Sequence, residues 1–166
     1  MTKPGVPPVS FPPVSFPPVS FPPFSAPPIS FVDTNVLVYA FAPDDAVRSP
    51  IAIQLVEELM ASNTFRTSTQ VLQELFVTLT RTGGKTIGAD LALHFVDQIA
   101  AFQTVTNDYS IIRAGAELSS RHKLSFWDAL IVAAAARSGA TRLYSEDLQH
   151  GRKILGVEVV NPFRRS

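Results

Sequence analysis

Four acidic residues of this chain lie in otherwise apolar or small-residue surroundings. They are Asp33 in SFVDTNVL, Glu74 in VLQELFV, Asp128 in SFWDALIV and Asp147 in LYSEDLQ. Isolated carboxylates are uncommon in hydrophobic segments, because a buried charge needs a partner. Carboxylate oxygens are the ligands that a hard divalent cation such as Mg²⁺ prefers. The four acids together therefore predict a divalent-metal site, and such a site suggests hydrolysis of a phosphodiester.

Each acid also has an ordinary structural interpretation. Asp33 can cap the helix that it precedes, and Asp128 can close a capping box at the start of its own helix. Glu74 can be a solvated helix position, and Asp147 can be a turn residue. Glu146 competes with Asp147 for any catalytic role. The two interpretations are compatible at Asp128, because a carboxylate near the positive end of a helix dipole stays ionised and able to bind metal.

The hydrophobic pattern places the acids on alternating strands and helices. Short apolar segments predict strands, and longer amphipathic or apolar segments predict helices. The expected strands are 29–32, 64–67, 103–105, 142–145 and 157–160, and the expected helices are 33–41, 50–61, 69–81, 87–101, 107–122 (capped by Asn107) and 126–137. This alternation predicts an α/β fold around a mostly parallel sheet. Asp33 and Asp147 then follow strands, at the sheet edge where ligands bind, with Glu74 and Asp128 on flanking helices.

The amino-terminal segment differs from the rest of the chain. It contains five tandem copies of a five-residue unit, from VPPVSF to PPISF. Paired prolines are incompatible with a helix interior or a central strand and favour an extended conformation. We expect residues 1–28 to form a disordered proline-rich tail and residues 29–166 to form one domain. The repeat could bind a proline-recognition module, but a duplicated DNA segment or an upstream start codon is the simpler explanation.

Composition excludes several classes of protein. The chain has no cysteine, so disulfides and thiolate metal sites are excluded. Its 14 basic residues balance 14 acidic ones, so no strongly basic surface predicts tight nucleic-acid binding. No segment approaches the roughly 20 apolar residues of a membrane span, and prolines interrupt any signal sequence. We therefore expect a cytoplasmic protein without a membrane segment.

Four motifs, in order, resemble those of PIN-domain proteins, in particular the VapC-type toxins of bacterial toxin–antitoxin pairs. They are FVDTNVLVYAF, QELF, SFWDALIVAAAARSGATRLYSEDL and GVEVVNPF. The resemblance covers residues 29–163 and implies a PIN-like three-layer α/β/α sandwich with a central, mostly parallel sheet. The SED triplet matches the family's Thr/Ser-x-Asp, which favours Asp147 over Glu146. By resemblance, the catalytic and metal-binding acids are Asp33, Glu74, Asp128 and Asp147, and the supporting polar residues are Thr34, Asn35 and Ser145.

The resemblance also implies a function. It implies an endoribonuclease that uses Mg²⁺ or Mn²⁺, bound mainly by Asp33 and Asp128, to activate water for attack on an RNA phosphodiester. The family partners would be an RNA substrate, a cognate antitoxin of a type II system and a second copy of the chain. Alternatives are a non-toxic PIN-like RNA-processing or RNA-binding domain, and a metal-dependent phosphatase. Candidate phosphate contacts, most of which we expect to be ordinary solvated charges, are Arg81, Lys85, Arg113, Arg121, Lys123, Arg152 and Lys153.

Overall fold

The structure is a computed structural model that describes residues 27–42, 44–81 and 87–164. Apart from Pro27 and Pro28, the proline-rich tail predicted for residues 1–28 lies outside these ranges, and so does Lys85. In the described ranges the chain forms six strands and six helices. The strands are β1 (Ser30–Val32), β2 (Phe65–Ser68), β3 (Gln103–Val105), β4 (Arg142–Tyr144), β5 (Lys153–Ile154) and β6 (Val157–Val160). The helices are α1 (Thr34–Phe41), α2 (Arg48–Ala61), α3 (Thr69–Thr80), α4 (Ala89–Ala100), α5 (Tyr109–His122) and α6 (Phe126–Arg137).

The strands form one sheet in the order β3-β2-β1-β4-β6-β5. All neighbours pair in parallel except β5 and β6, which are antiparallel. From β1 the chain continues to β2 on one side, whereas β4 pairs with β1 on the other side. The strand order therefore reverses between β1 and β4, and in an open α/β sheet this reversal leaves a crevice outside the carboxyl ends of the strands.

The helices complete the α/β/α sandwich that the sequence predicts, and this fold is confirmed. Helix α1 packs on α2 and α3, and α3 packs on α4, while α6 packs on α5 and contacts β2, β4 and β6. Helix α6 is buried along Ala129–Ala135, as its apolar sequence predicts. A β-carbon at Gly115 of α5 would lie 2.7 Å from Leu130 of α6, so the absence of a side chain allows these helices to approach closely.

Three local features differ from the predicted elements. Helix α2 begins at Arg48, before Pro50, because Asp45 accepts hydrogen bonds from two backbone N–H groups at that helix start. Helix α5 is capped by Asp108, not Asn107, since Asp108 accepts from the N–H of Ile111. The short strand β5 is an addition that hydrophobic periodicity does not indicate. Within the described ranges, no helix is long and apolar enough to cross a bilayer.

Candidate active site

The candidate site begins where two neighbouring parallel strands end. Val32 of β1 and Tyr144 of β4 are in register, so the residues that follow them, Asp33 and Ser145, are brought together. The Asp33 N–H donates to the carbonyl oxygen of Tyr144 at 3.0 Å, and the Ser145 hydroxyl donates to Asp33 Oδ2 at 2.7 Å. Asp33 also caps helix α1 by accepting from the Thr34 N–H. Capping and participation in the site are thus compatible at this residue.

Asn35 connects Asp33 with Asp147. Its Nδ2 donates to Asp33 Oδ2 at 3.2 Å and to Asp147 Oδ2 at 2.9 Å, while its Oδ1 accepts from the Glu146 N–H. The Asp147 N–H in turn donates to the Ser145 hydroxyl at 3.3 Å. Two carboxylates therefore lie within hydrogen-bonding distance of one amide nitrogen. The polar residues Thr34, Asn35 and Ser145 contact the acids that the resemblance implied they would support.

Glu74 of α3 joins this cluster through Thr34. The Thr34 hydroxyl donates to Glu74 Oε2 at 2.9 Å, and the Gln70 side-chain amide donates to Glu74 Oε1 at 2.9 Å. Gln70 is buried and also contacts the carbonyl oxygen of Trp127 and the amide of Asn107. Sequence reasoning missed Gln70, although a glutamine four positions before an acid shares its helix face. We call Asp33, Asn35, Thr34, Glu74, Ser145 and Asp147 the acidic cluster.

Asp128 is placed less directly. It is half-buried in the first turn of α6, and its backbone N–H donates to the Ser125 hydroxyl at 3.1 Å, so Ser125 caps the helix. Among the described residues its carboxylate forms no hydrogen bond with the acidic cluster. Asp128 is connected to the acidic cluster through the preceding residue, Trp127, whose carbonyl oxygen accepts a hydrogen bond from Gln70. The metal-binding role of Asp128 therefore stays a prediction.

The neighbouring Glu146 takes part in a different set of contacts. Its carboxylate accepts from the Tyr39 hydroxyl at 2.9 Å and lies 3.4 Å from Arg48 Nε. These partners belong to α1 and α2, whereas Asp147 contacts Asn35 beside Asp33. The geometry thus favours Asp147 over Glu146 as the acid associated with Asp33.

Asp33 has an unusual electrostatic environment. Its side chain is buried, and among the described residues no lysine, arginine or histidine forms an ion pair with it. The pKa of Asp33 is raised from 3.8 to about 6, and burial is the largest cause. Hydrogen bonds from Ser145 and Thr34 act in the opposite direction, and the charges of Glu74 and Asp147 add to the increase. A cation beside this carboxylate would offset both the burial and the repulsion.

The donor set fits Mg²⁺ or Mn²⁺ held by few protein ligands. In the described part of the chain no three acidic or histidine side chains form a group that could hold a metal ion by themselves. Mg²⁺, however, usually keeps several waters and is bound through one or two carboxylates together with substrate phosphate. Asp33 and Asp147, which share the Asn35 amide, can supply such a pair. The complete four-carboxylate shell stays a prediction.

Four residues of the acidic cluster, Thr34, Asn35, Glu74 and Asp147, line a groove of about 700 Å³, and Asp33, Ser145 and Asp128 are not among its described lining residues. We call it the active-site groove. Its walls combine acids and amides with apolar surface, including Val38, Val77 and Trp127. Arg81, at the end of α3, is the basic residue among the described ones that line it. The other described candidates for phosphate contact, such as Arg113 and Lys153, do not line this groove, in agreement with their interpretation as solvated charges.

Comparison with solved structures gives the same fold. The chain resembles the sarcin-ricin loop cleaving toxin VapC20 of Mycobacterium tuberculosis at 24% identity, with a TM-score of 0.54, over 70% of this chain and 88% of that one. It resembles a chain of a toxin-antitoxin complex from Klebsiella pneumoniae at 19% identity and a TM-score of 0.61, over 82% and 99%. It also resembles a chain of VapBC2 from Rickettsia felis, bound to a promoter DNA fragment, at 18% identity and a TM-score of 0.57, over 78% and 96%.

At these identities the structural likeness shows the fold and no more. No curated protein matches the sequence. The family model described as "PIN domain" matches residues 30–153, which include β1 through β4, all six helices and all four predicted acids. Because the match covers most of the chain, this protein belongs to the PIN domain family.

Proposed function

We propose that this protein is a metal-dependent endoribonuclease and the toxin of a type II toxin–antitoxin pair. The observation that carries the proposal is the acidic cluster at the carboxyl edge of the sheet, in which buried Asp33 lies close to Glu74 and Asp147. Three clustered carboxylates repel one another, and a divalent cation turns this unfavourable arrangement into a binding site. The PIN family match and the toxins among the similar structures support the choice of reaction.

Each acid has a proposed role in this reaction. Asp33 and Asp147 would hold Mg²⁺ or Mn²⁺, and Asp128 would complete the ligand set directly or through water. When bound, such a cation would supply charge to neutralise the phosphate and would acidify a water molecule. Glu74 accepts a proton from the attacking water, because hydrogen bonds from Thr34 and Gln70 fix the direction of its carboxylate. In-line attack of this water on phosphorus breaks the bond to the 3′-oxygen. That oxygen leaves as a 3′-hydroxyl with a proton from solvent, and the other fragment keeps a 5′-phosphate.

The proposal includes partners and a domain boundary. As a toxin, the protein would act on RNA in the cytoplasm, form a homodimer and bind a cognate antitoxin. Residues 29–166 would form the PIN domain. Near this boundary, the Ser30 hydroxyl of β1 donates to the carbonyl oxygen of Pro28. Deleting residues 1–27 should leave the melting temperature and RNA cleavage unchanged, and a melting temperature several degrees lower would show that the repeat packs on the domain.

The direct test is cleavage of total RNA by the purified chain. We expect cuts with Mg²⁺ or Mn²⁺ and none with EDTA, and sequencing of the fragments should identify 5′-phosphate ends. The matched control is Asp33→Asn, purified identically, which excludes a contaminating nuclease. A small phosphate ester should remain intact, since hydrolysis of that ester would identify a phosphatase instead. RNA binding without cleavage under any divalent metal would identify an RNA-binding domain and contradict the proposal.

A further inference from the structure

Trp127 is a large aromatic side chain left open to solvent within the active-site groove. It is the chain's single tryptophan and is 63% exposed, in the first turn of α6. Its indole lies edge-to-face with the ring of Phe126, the two centroids being 5.6 Å apart. Exposed Val77 of α3 lines the same groove. The groove therefore has an apolar wall in addition to its acids.

The position of this wall relative to the acids is fixed by one buried side chain. Gln70 donates both to the carbonyl oxygen of Trp127, at 3.3 Å, and to Glu74 Oε1, at 2.9 Å. Asn107 donates to Gln70 Oε1 and so orients the same amide. The backbone that carries the indole is thus tied to the acidic cluster. Trp127, Glu74 and Asp147 line the same groove, so a strand bound there at the acids can also contact the indole.

Charge alone gives this groove little affinity for a polyanion. The chain has no net charge, and the described lining residues include three acids, Glu74, Glu146 and Asp147, against one basic residue, Arg81. A bound divalent cation would at most balance the net charge of these lining residues and would not make the groove basic. An RNA strand therefore needs a contact that does not depend on phosphate charge. Stacking of a base on an aromatic ring is such a contact, and it tolerates any base because every base has a π-face.

We propose that the Trp127 indole stacks on a nucleobase of single-stranded RNA, next to the phosphate held at the acidic cluster. This inference rests on the proposed ribonuclease function and deepens it. It makes Trp127 a substrate-positioning residue that selects unpaired RNA, because a base inside a duplex has no free face to offer. The sequence preference that stacking alone confers is weak.

The single tryptophan provides a direct test. Wild-type protein in EDTA is titrated with a short single-stranded RNA, and its fluorescence is compared with that in a titration with an abasic strand of equal length and charge. Stacking predicts saturable quenching by the base-containing strand and weaker quenching by the abasic one. Affinity is measured separately, from the anisotropy of a labelled RNA. Because one stacked base changes affinity by about 5- to 150-fold, Trp127→Leu should weaken binding within that range.

Matched variants separate stacking from other effects. Trp127→Phe should retain most of the affinity, since phenylalanine keeps an aromatic face, whereas Trp127→Leu keeps only apolar bulk. Tyr109→Leu removes an aromatic side chain that is 76% exposed and does not line the active-site groove. The affinity of this variant for RNA should therefore match that of the wild type. Melting temperatures of all variants should stay near the wild-type value because both side chains are exposed.

Several outcomes would overturn the inference. If anisotropy shows that RNA binds but the tryptophan fluorescence is not quenched, the inference is wrong. It is also wrong if Trp127→Leu binds RNA as tightly as the wild type. If the RNA-cleavage KM is also unchanged in Trp127→Leu, the stacking proposal fails while the ribonuclease proposal stands. Quenching by a peptide but not by RNA would make the wall a protein-docking surface and overturn the assignment to RNA. Absence of both RNA binding and cleavage in the wild type would overturn both proposals.

Discussion

The two halves of the candidate site are built by different structural means. Asp33 and Ser145 immediately follow adjacent parallel strands, and the strand register alone brings them together. Glu74 lies on α3 and Asp128 on α6, so their positions depend on how these helices pack. At the site, α3 and α6 are connected by the hydrogen bond from Gln70 to the Trp127 carbonyl. The strand half is fixed by the backbone, whereas the helix half is adjustable and depends on side chains.

This difference has an electrostatic counterpart. The strand half places one carboxylate, that of Asp33, where water is excluded, and burial is the largest cause of its raised pKa. The helix half leaves Glu74 and Asp128 half-buried, within reach of solvent. We therefore expect substitutions in the strand half to change activity, metal binding and pH dependence together. In the helix half, activity and stability should be separable.

The largest effect should come from Asp33→Asn. We expect cleavage to fall by about 10³-fold or more, because the variant loses a charged oxygen at the proposed metal site, where charge stabilisation amounts to several kcal/mol. The fold should persist, since asparagine can also cap helix α1. The measurement is single-turnover cleavage of a labelled RNA alongside a thermal melt. Cleavage within tenfold of the wild type would remove Asp33 from the catalytic assignment.

Asp33→Asn also tests how the stability contributed by the strand half depends on pH. The pKa of Asp33 is about 6 in the fold against 3.8 as its ordinary value, so the native state binds this proton more tightly than the unfolded state. The resulting stabilisation, about 3 kcal/mol, is complete below pH 4 and is lost as pH rises through 6. In EDTA the melting temperature of the wild type should fall across this window, and that of Asp33→Asn should fall less.

Added Mg²⁺ sharpens this test. At pH 8 it should raise the melting temperature of the wild type but not that of Asp33→Asn, and at pH 5 the increase should shrink because protonated Asp33 binds metal poorly. An equal rise in both proteins would place the cation elsewhere.

In the helix half, Asp128→Asn and Ser125→Ala separate two roles. Asp128→Asn retains the backbone N–H that bonds to Ser125, so we expect an intact fold with cleavage reduced about 10²-fold. Ser125→Ala removes the cap and should cost about 1 kcal/mol of stability while cleavage stays within threefold. If Asp128→Asn lowers the melting temperature and cleaves normally, Asp128 has a structural role only.

Gln70→Leu should loosen the helix half. It removes the donor to Glu74 and Trp127 and leaves Asn107 without its acceptor, so we expect a loss of about 1–3 kcal/mol in stability. Cleavage should fall about 10- to 100-fold, mainly in kcat, because Glu74 is no longer oriented. The control is Gln54→Leu, a surface amide on α2. A rise in KM with unchanged kcat would show that Gln70 acts on substrate binding rather than on Glu74.

The two halves also differ in how far the sequence predicts them. Short apolar segments indicate where β1 and β4 end, and the rule that ligands bind at carboxyl ends then places Asp33 next to the β4 terminus. The sequence relates Gln70 only to Glu74, four positions away, because its other partners Asn107 and Trp127 lie 37 and 57 positions further along the chain. A residue whose role depends on helix packing becomes visible only when the packing is known.

Two smaller features show the same limit. Strand β5 has only two residues, and its turn to β6 places Leu155 and Gly156 at positive φ, a conformation that leucine does not signal. Asn107 and Asp108 are both good caps, and Asp108 caps α5 while Asn107 donates to Gln70. Local propensity predicts that a helix cap or a turn lies nearby, but tertiary contacts determine which residue forms it.

The smallest effect should distinguish two adjacent acids. Glu146→Gln keeps an acceptor for the Tyr39 hydroxyl and loses a partly exposed ion pair with Arg48, which is worth at most about 1 kcal/mol. Cleavage should therefore remain within threefold of the wild type. Asp147→Asn loses a carboxylate that shares the Asn35 amide with Asp33, and we expect its cleavage to fall tenfold or more. Comparing kcat/KM of the two variants on one RNA decides between them. If Glu146→Gln is the more damaging, the fourth acid is Glu146, and the hydrogen bonds of Asn35 do not identify the acid that binds metal.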